Sequence, residues 1–115
     1  MNSPVEITFE QTADATLEAC EHFLIDKLEM PIDQAQALSL RLLSSTLERL
    51  SQRPGTYRIC RIALEMGVDH YRELLVDDYR VIYRFWPEEN QVSIYLFAHQ
   101  RQDFKQLLFE YQLLR

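Results

Sequence analysis

The sequence predicts an α+β fold in the order β-α-α-β-β-β-β-α, a mainly antiparallel sheet with a helical layer on one face. Three observations carry this. Tyr71 to Phe104 holds three strand-like runs rich in Val, Ile, Tyr and Phe, broken at Asp77-Asp78 and at Pro87 to Asn90. Two apolar stripes at three- and four-residue steps lie upstream, and a third opens near Gln102.

Taken in order, Val5, Ile7 and Phe9 alternate with Glu6, Thr8 and Glu10, a short strand. Thr12 is placed to cap a helix whose stripe is Ala13, Leu17, Cys20, Leu24 and Leu28, with Glu18 and Glu21 suited to its early turns. Met30-Pro31 breaks it. Asp33 and Gln36 resemble a capping box for a second helix, with Ala35, Leu38, Leu42, Leu43, Leu47 and Leu50 on its apolar side, ending before Pro54-Gly55. Cys60, Ile62, Leu64 and Met66 then alternate with Arg61, Ala63 and Glu65, which reads as a strand closed by Gly67. From Gln102 a last helix carries Phe104, Leu107, Leu108, Tyr111 and Leu114, with Phe109 and Leu113 widening its apolar surface.

Register follows from the breaks. A two-residue loop at Asp77-Asp78 sets Val76 opposite Tyr79, Leu74 opposite Val81 and Glu73 opposite Ile82. A loop at Pro87 to Asn90 sets Phe85 opposite Val92, Tyr83 opposite Ile94, Val81 opposite Leu96 and Tyr79 opposite Ala98. One face is then apolar throughout. The other carries Glu73, Leu75, Arg80, Ile82, Arg84, Ser93, Tyr95, Phe97 and His99, and is expected to be the open, functional face.

With 115 residues the chain reads as a single domain, 1–115, large enough to bury about two-thirds of its unfolded surface. No apolar run reaches the roughly 18 residues of a membrane span, and the N-terminal residues lack the basic and apolar regions of a signal peptide, so no membrane association and a cytoplasmic location are expected. Cys20 and Cys60 read as buried thiols, and the three histidines do not converge, so neither a metal nor another cofactor is expected. The net charge is −6, yet it is unevenly spread. Residues 1–52 hold nine acids and three bases, whereas residues 53–86 hold six arginines and five acids. A net acid protein is a poor general nucleic-acid binder, but the strand region is locally near neutral.

Arg72-Glu73-Leu74, then Asp78-Tyr79-Arg80-Val81-Ile82-Tyr83-Arg84, then a turn, an apolar strand and His99, Arg101 and Asp103-Phe104 together resemble the RelE/ParE toxin superfamily. The helices agree, the second ending at Leu47, Leu50 and Pro54, so the resemblance covers roughly residues 5 to 104. It implies the toxin of a type II toxin–antitoxin system, a group that includes plasmid stabilisation proteins, with a cognate antitoxin as partner. RelE-like members are mRNA interferases acting at the ribosome, and ParE-like members are DNA gyrase inhibitors that act by binding. By motif match the nuclease strand arginine falls on Arg80 and the acid/base position nearest His99.

RNA cleavage without a metal needs a base, an acid and cations at the crowded phosphate. His99 fits proton transfer, and Arg80 with Arg84 could clamp a phosphate in forked hydrogen bonds. Tyr95 and Phe97 are candidates for base stacking, and Arg61 and Arg101 for further target contacts. The bland reading sets Arg80 over Phe97, pairs Arg84 with Glu73 and leaves Arg101 solvated at a helix start. Three functions stay open: an endoribonuclease acting on ribosome-bound mRNA, a gyrase inhibitor with no catalytic residue, and a non-catalytic binding module. A second copy of the chain is a further candidate partner.

Overall fold

The computed structural model describes residues 4–114; residues 1–3 and 115, which the expected domain of 1–115 includes, lie outside the described residues. The elements are β1 (Glu6–Phe9), α1 (Gln11–Asp26), α2 (Ile32–Gln52), α3 (Arg61–Glu65), β2 (Arg72–Val76), β3 (Tyr79–Trp86), β4 (Gln91–His99) and α4 (Phe104–Glu110). The α+β class and the mainly antiparallel sheet are as expected. The sheet has four strands in the order β1-β4-β3-β2, and β1 lies parallel to β4.

The run at Cys60–Met66 is the exception among the expected strands. Only a short stretch before it pairs, through an isolated bridge between Ile59 and Arg72 and backbone bonds from Cys60 N to Tyr71 O and Glu73 N to Arg58 O. The chain then turns into α3, with Ala63 buried against the sheet. Five residues of alternating polarity suit one turn of helix as well as a strand, and the backbone partner decides. Gly67, at φ 89°, closes that helix in a conformation that other residues rarely adopt.

Helix starts differ in detail. Glu10 rather than Thr12 is the N-cap of α1, and Pro31 that of α2, so the Asp33–Gln36 capping box does not form. The last helix begins at Phe104, and Asp103 caps it by accepting from the Gln106 amide at 3.0 Å.

The β2–β3 register is the expected one, Val76 facing Tyr79 and Glu73 facing Ile82, with Asp77 at φ 50° in the turn. The β3–β4 register holds from Phe85–Val92 to Tyr83–Ile94 and then shifts by one residue. Tyr95 is the extra residue of a β-bulge, after which Ile82 faces Leu96, Val81 faces Phe97, Arg80 faces Ala98 and Tyr79 faces His99. Beyond the bulge every β4 side chain points opposite to the expected way. Phe97 therefore joins Leu74, Val76, Val81, Tyr83, Val92 and Ile94 in the core under α1 and α2. Leu96 and Ala98 join Ile82 in a second core with Cys60, Ala63, Phe104, Leu107, Leu108 and Leu113 under α3 and α4. The face expected to be open is thus largely covered.

Helix α1 holds the bulge in place. Thr12 Oγ1 donates to the Tyr95 carbonyl at 2.6 Å, Thr16 Oγ1 accepts from the Phe97 amide at 3.0 Å, and Cys20 Sγ donates to the Phe97 carbonyl at 3.3 Å. A bulge frees backbone groups from the ladder, and a buried free group costs about 1–3 kcal/mol. Three small polar side chains at four-residue steps on one helix supply the missing partners.

Both cores are testable in urea unfolding. Tyr83, fully buried with its hydroxyl on the Pro54 carbonyl at 2.6 Å, should lose about 3–5 kcal/mol on substitution by Ala. Ile82→Ala, on the other face, should lose about 2–5 kcal/mol. A loss under about 1 kcal/mol for Ile82→Ala would mean that the second face is not a core.

Candidate functional site

Strand β3 projects Arg80, Ile82, Arg84 and Trp86 to the side of α3 and α4, because alternate residues of a strand share a face. Arg80 pairs with Glu73 Oε1 at 3.4 Å, and its guanidinium carbon lies 4.3 Å from the centre of the Phe104 ring. Arg58, from the bridge segment, reaches Glu73 Oε2 with its Nη2 at 2.7 Å and its Nε at 2.9 Å. The Glu73 side chain is 3% exposed, so the two cations enclose a buried carboxylate. With Arg61 and Ile62 these residues line a concavity of about 220 Å³. Arg61 is exposed and lies 3.5 Å from Glu65. Arg58 and Arg80 enclose the buried carboxylate, and Arg61 stands at the rim beside Glu65, so three cations against two acids leave the concavity locally cationic although the chain is acidic.

Arg58 is absent from the sequence-based candidates. Its signal is weak: it stands among six arginines in residues 53–86, and only the bridge beside β2 brings it to Glu73.

Arg84 does not pair with Glu73. Its guanidinium carbon sits 3.7 Å over the Trp86 ring, and the Trp86 Nε1 donates to Ser93 Oγ at 3.2 Å. Tyr95, half-buried at the bulge, packs edge-on to Tyr71 at 5.2 Å between ring centres. Phe97 lies neither under Arg80 nor on an accessible face. It is fully buried and stacked on Phe9 at 6.3 Å, which removes it from base stacking.

His99 is on the other side of the sheet from Arg80. It is 6% exposed, between Tyr79 at 5.2 Å and Phe23 at 5.8 Å. Its Nδ1 accepts from the Arg101 amide at 3.1 Å, which leaves the proton of the neutral ring on Nε2. It lines a cleft of about 270 Å³ at the end of the sheet, with Leu24, Leu38 and Met30 inside and Arg41, Asp77 and Arg101 at the mouth. Burial lowers its pKa below the ordinary value, Arg101 adds to that, and Asp78 opposes it. Arg101 is exposed on the turn after β4. The expected catalytic pair, Arg80 and His99, is therefore divided by the sheet. The physical reason is the bulge at Tyr95, which turns His99 to the α1 side.

Burial pushes the Cys20 thiol up to about 12 and also raises Cys60, so both thiols stay protonated at neutral pH. Among the described residues, no group of three His, Cys, Asp or Glu side chains is placed to hold a metal ion. No helix among them is long and apolar enough to cross a membrane.

Residues 7–104 match the family described as ParE toxin of type II toxin-antitoxin system, parDE. No curated protein matches the sequence. In structure the chain is similar to a chain of the toxin–antitoxin complex RelBE2 from Mycobacterium tuberculosis, with TM-score 0.60 and 18% identity over 84% of this chain and 99% of that chain. It is also similar to a chain of the chromosomal ParDE system from P. aeruginosa, with TM-score 0.63 and 15% identity over 83% of this chain and 95% of that chain. At such identities the likeness is one of fold.

The His99 environment has a measurable consequence. A histidine whose folded pKa is lowered is favoured neutral in the native state, so the unfolded chain takes up the proton first as pH falls. Its contribution to stability should be complete above about pH 6.5 and should fall away below it. His70, lowered by burial and by Arg84, acts in the same direction. Urea midpoints between pH 8 and pH 5 should decline with acid, and His99→Gln should flatten that decline without abolishing it. A decline identical in wild type and His99→Gln would remove His99 from the effect.

Proposed function

The chain belongs to the ParE toxin family of type II toxin–antitoxin systems, and on that premise we propose that it acts by binding its target, as a gyrase inhibitor, and not by cutting RNA. The observation that carries this reading is the division of Arg80 from His99 by a sheet with a core on each face. Cleavage at a 2′-hydroxyl needs proton transfer and charge stabilisation at one phosphate, within hydrogen-bond reach of each other. On the arginine side, Arg58, Arg61 and Arg80 offer only donors. Glu73 there is buried and held by two cations, a poor position from which to take a proton. On the other side, His99 stands in the cleft without the strand arginines.

A cationic concavity without a proton-transfer group suits recognition of an acidic surface or a phosphate backbone. Arg84 on Trp86, beside Tyr95, extends that surface with a rigid stacked cation. Forked guanidinium groups fit such a contact better than ammonium groups would. The protein works in the cytoplasm, held by a cognate antitoxin until it is released.

Induction of the toxin should block gyrase supercoiling and leave no new mRNA ends in codon-level mapping. His99→Gln should retain inhibition, whereas a catalytic His99 would cost about a hundred- to ten-thousandfold on loss of proton transfer. Arg58→Ala and Arg80→Ala should each weaken inhibition by about tenfold, as the loss of a charged contact of about 1.4 kcal/mol does. New codon-linked ends with normal supercoiling would overturn the reading in favour of an endoribonuclease. Neither effect would leave the non-catalytic binding module.

A further inference from the structure

Helix α2 is 21 residues long and buries one side, Ala35, Ser39, Leu42, Thr46 and Leu50, against α1 and the sheet. Almost opposite runs a second regular row of Ala37, Leu40, Ser44, Leu47 and Ser51, all exposed. Its steps are three, four, three and four, the spacing of a helix–helix seam. Leu40 and Leu47 are 69% and 38% exposed and stand one heptad apart, with small residues between them. Small residues at alternate layers let two helix backbones approach while the leucines fill the layers.

The charges beside this seam say what covers it. Arg41 and Glu48 flank it on one side, one heptad apart, and Gln36 and Leu43 flank it on the other. We propose that α2 is a homodimer surface, in which two copies pair these helices antiparallel about a two-fold axis. In that arrangement Ser44 of one copy meets Leu47 of the other, and Ser51 meets Leu40. Arg41 then faces Glu48 across the interface, and the axis repeats the pair, so both flanking charges are matched by the same residues of the second copy. A parallel pairing would instead set these charges against Gln36 and Leu43 and leave them unmatched.

The wider charge distribution agrees. Helix α1 carries Asp14, Glu18, Glu21 and Asp26 and no base, whereas α2 balances Asp33 and Glu48 against Arg41 and Arg49. The one helix of this acidic layer that can approach its own copy without like-charge repulsion is the one that bears the seam. Arg41 also lies 3.3 Å from Asp77, with both side chains mostly exposed, a weak contact that pairing with Glu48 can replace.

Sedimentation velocity of the purified chain tests this. The weight-average mass should rise from 13.7 kDa towards twice that value over about 1–100 µM, the range of a small helix-pair interface. Leu40→Glu and Leu47→Glu, at exposed positions, should hold the protein at the monomer mass, with unchanged circular dichroism. Arg41→Glu or Glu48→Arg alone should weaken the dimer about tenfold, and the double exchange Arg41→Glu/Glu48→Arg should restore it to within about threefold. Asp77→Asn should leave the dimer intact, which separates the interface from the contact with Asp77. A free chain monomeric throughout, as expected if the seam takes an antitoxin helix instead, would overturn the proposal. So would a dimer indifferent to the leucine changes, or a double exchange no better than either single one.

Discussion

Two threonine hydroxyls on one turn of α1 support the bulge on which the rest of this structure depends. Thr16 Oγ1 lies 2.6 Å from the Thr12 carbonyl and takes the Phe97 amide, while Thr12 Oγ1 gives its proton to Tyr95. Without these partners the stretch of β4 beyond its last backbone bond to β1, Glu10 N to Ile94 O, would bury unpaired backbone groups. With them, one extra residue is stable in the middle of the sheet. Everything from Leu96 to His99 then faces the opposite way to the simple alternation.

That inversion organises both layers. It turns Phe97 and His99 under α1, where Phe97 stacks on Phe9 and His99 sits beside Phe23. It also turns Leu96 and Ala98 towards Phe104 and Leu108, giving the short α3 and α4 an apolar surface to close over. A sheet with both faces covered keeps only its margins for recognition. The arginines accordingly gather where β2 and β3 meet the bridge segment, around the buried carboxylate of Glu73.

The same layering separates charge. The acids of α1 lie on one side of the sheet and the cluster of Arg58, Arg61 and Arg80 on the other. At a screening length of about 8 Å in physiological salt, the two sides present nearly independent fields. A chain with a net charge of −6 can thus offer a cationic surface. It leaves α2, balanced in charge and regular in its outer row, as the surface of the helical layer least opposed to a second helix.

The sequence by itself determined that α1 and α2 are amphipathic helices, the three β-runs and the register about Asp77-Asp78, because each is a periodic property of residues close in the chain, although Leu47, expected on the apolar side of α2, is exposed and Ser39 and Thr46 are buried there instead. It also carried the family, through the Tyr-Arg-Val-Ile-Tyr-Arg strand and its flanks. It did not contain the helix at Arg61–Glu65, where five residues suit either element and only the partner strand chooses between them. Nor did it show that Arg58 and Arg80 share Glu73, or that Arg80 and His99 lie apart. The bulge that divides that pair is held by a bond between Thr16 and Phe97, 81 positions apart in the sequence. Alternation along a strand is local, whereas the place where it is interrupted depends on a donor or acceptor that only the folded chain brings to it.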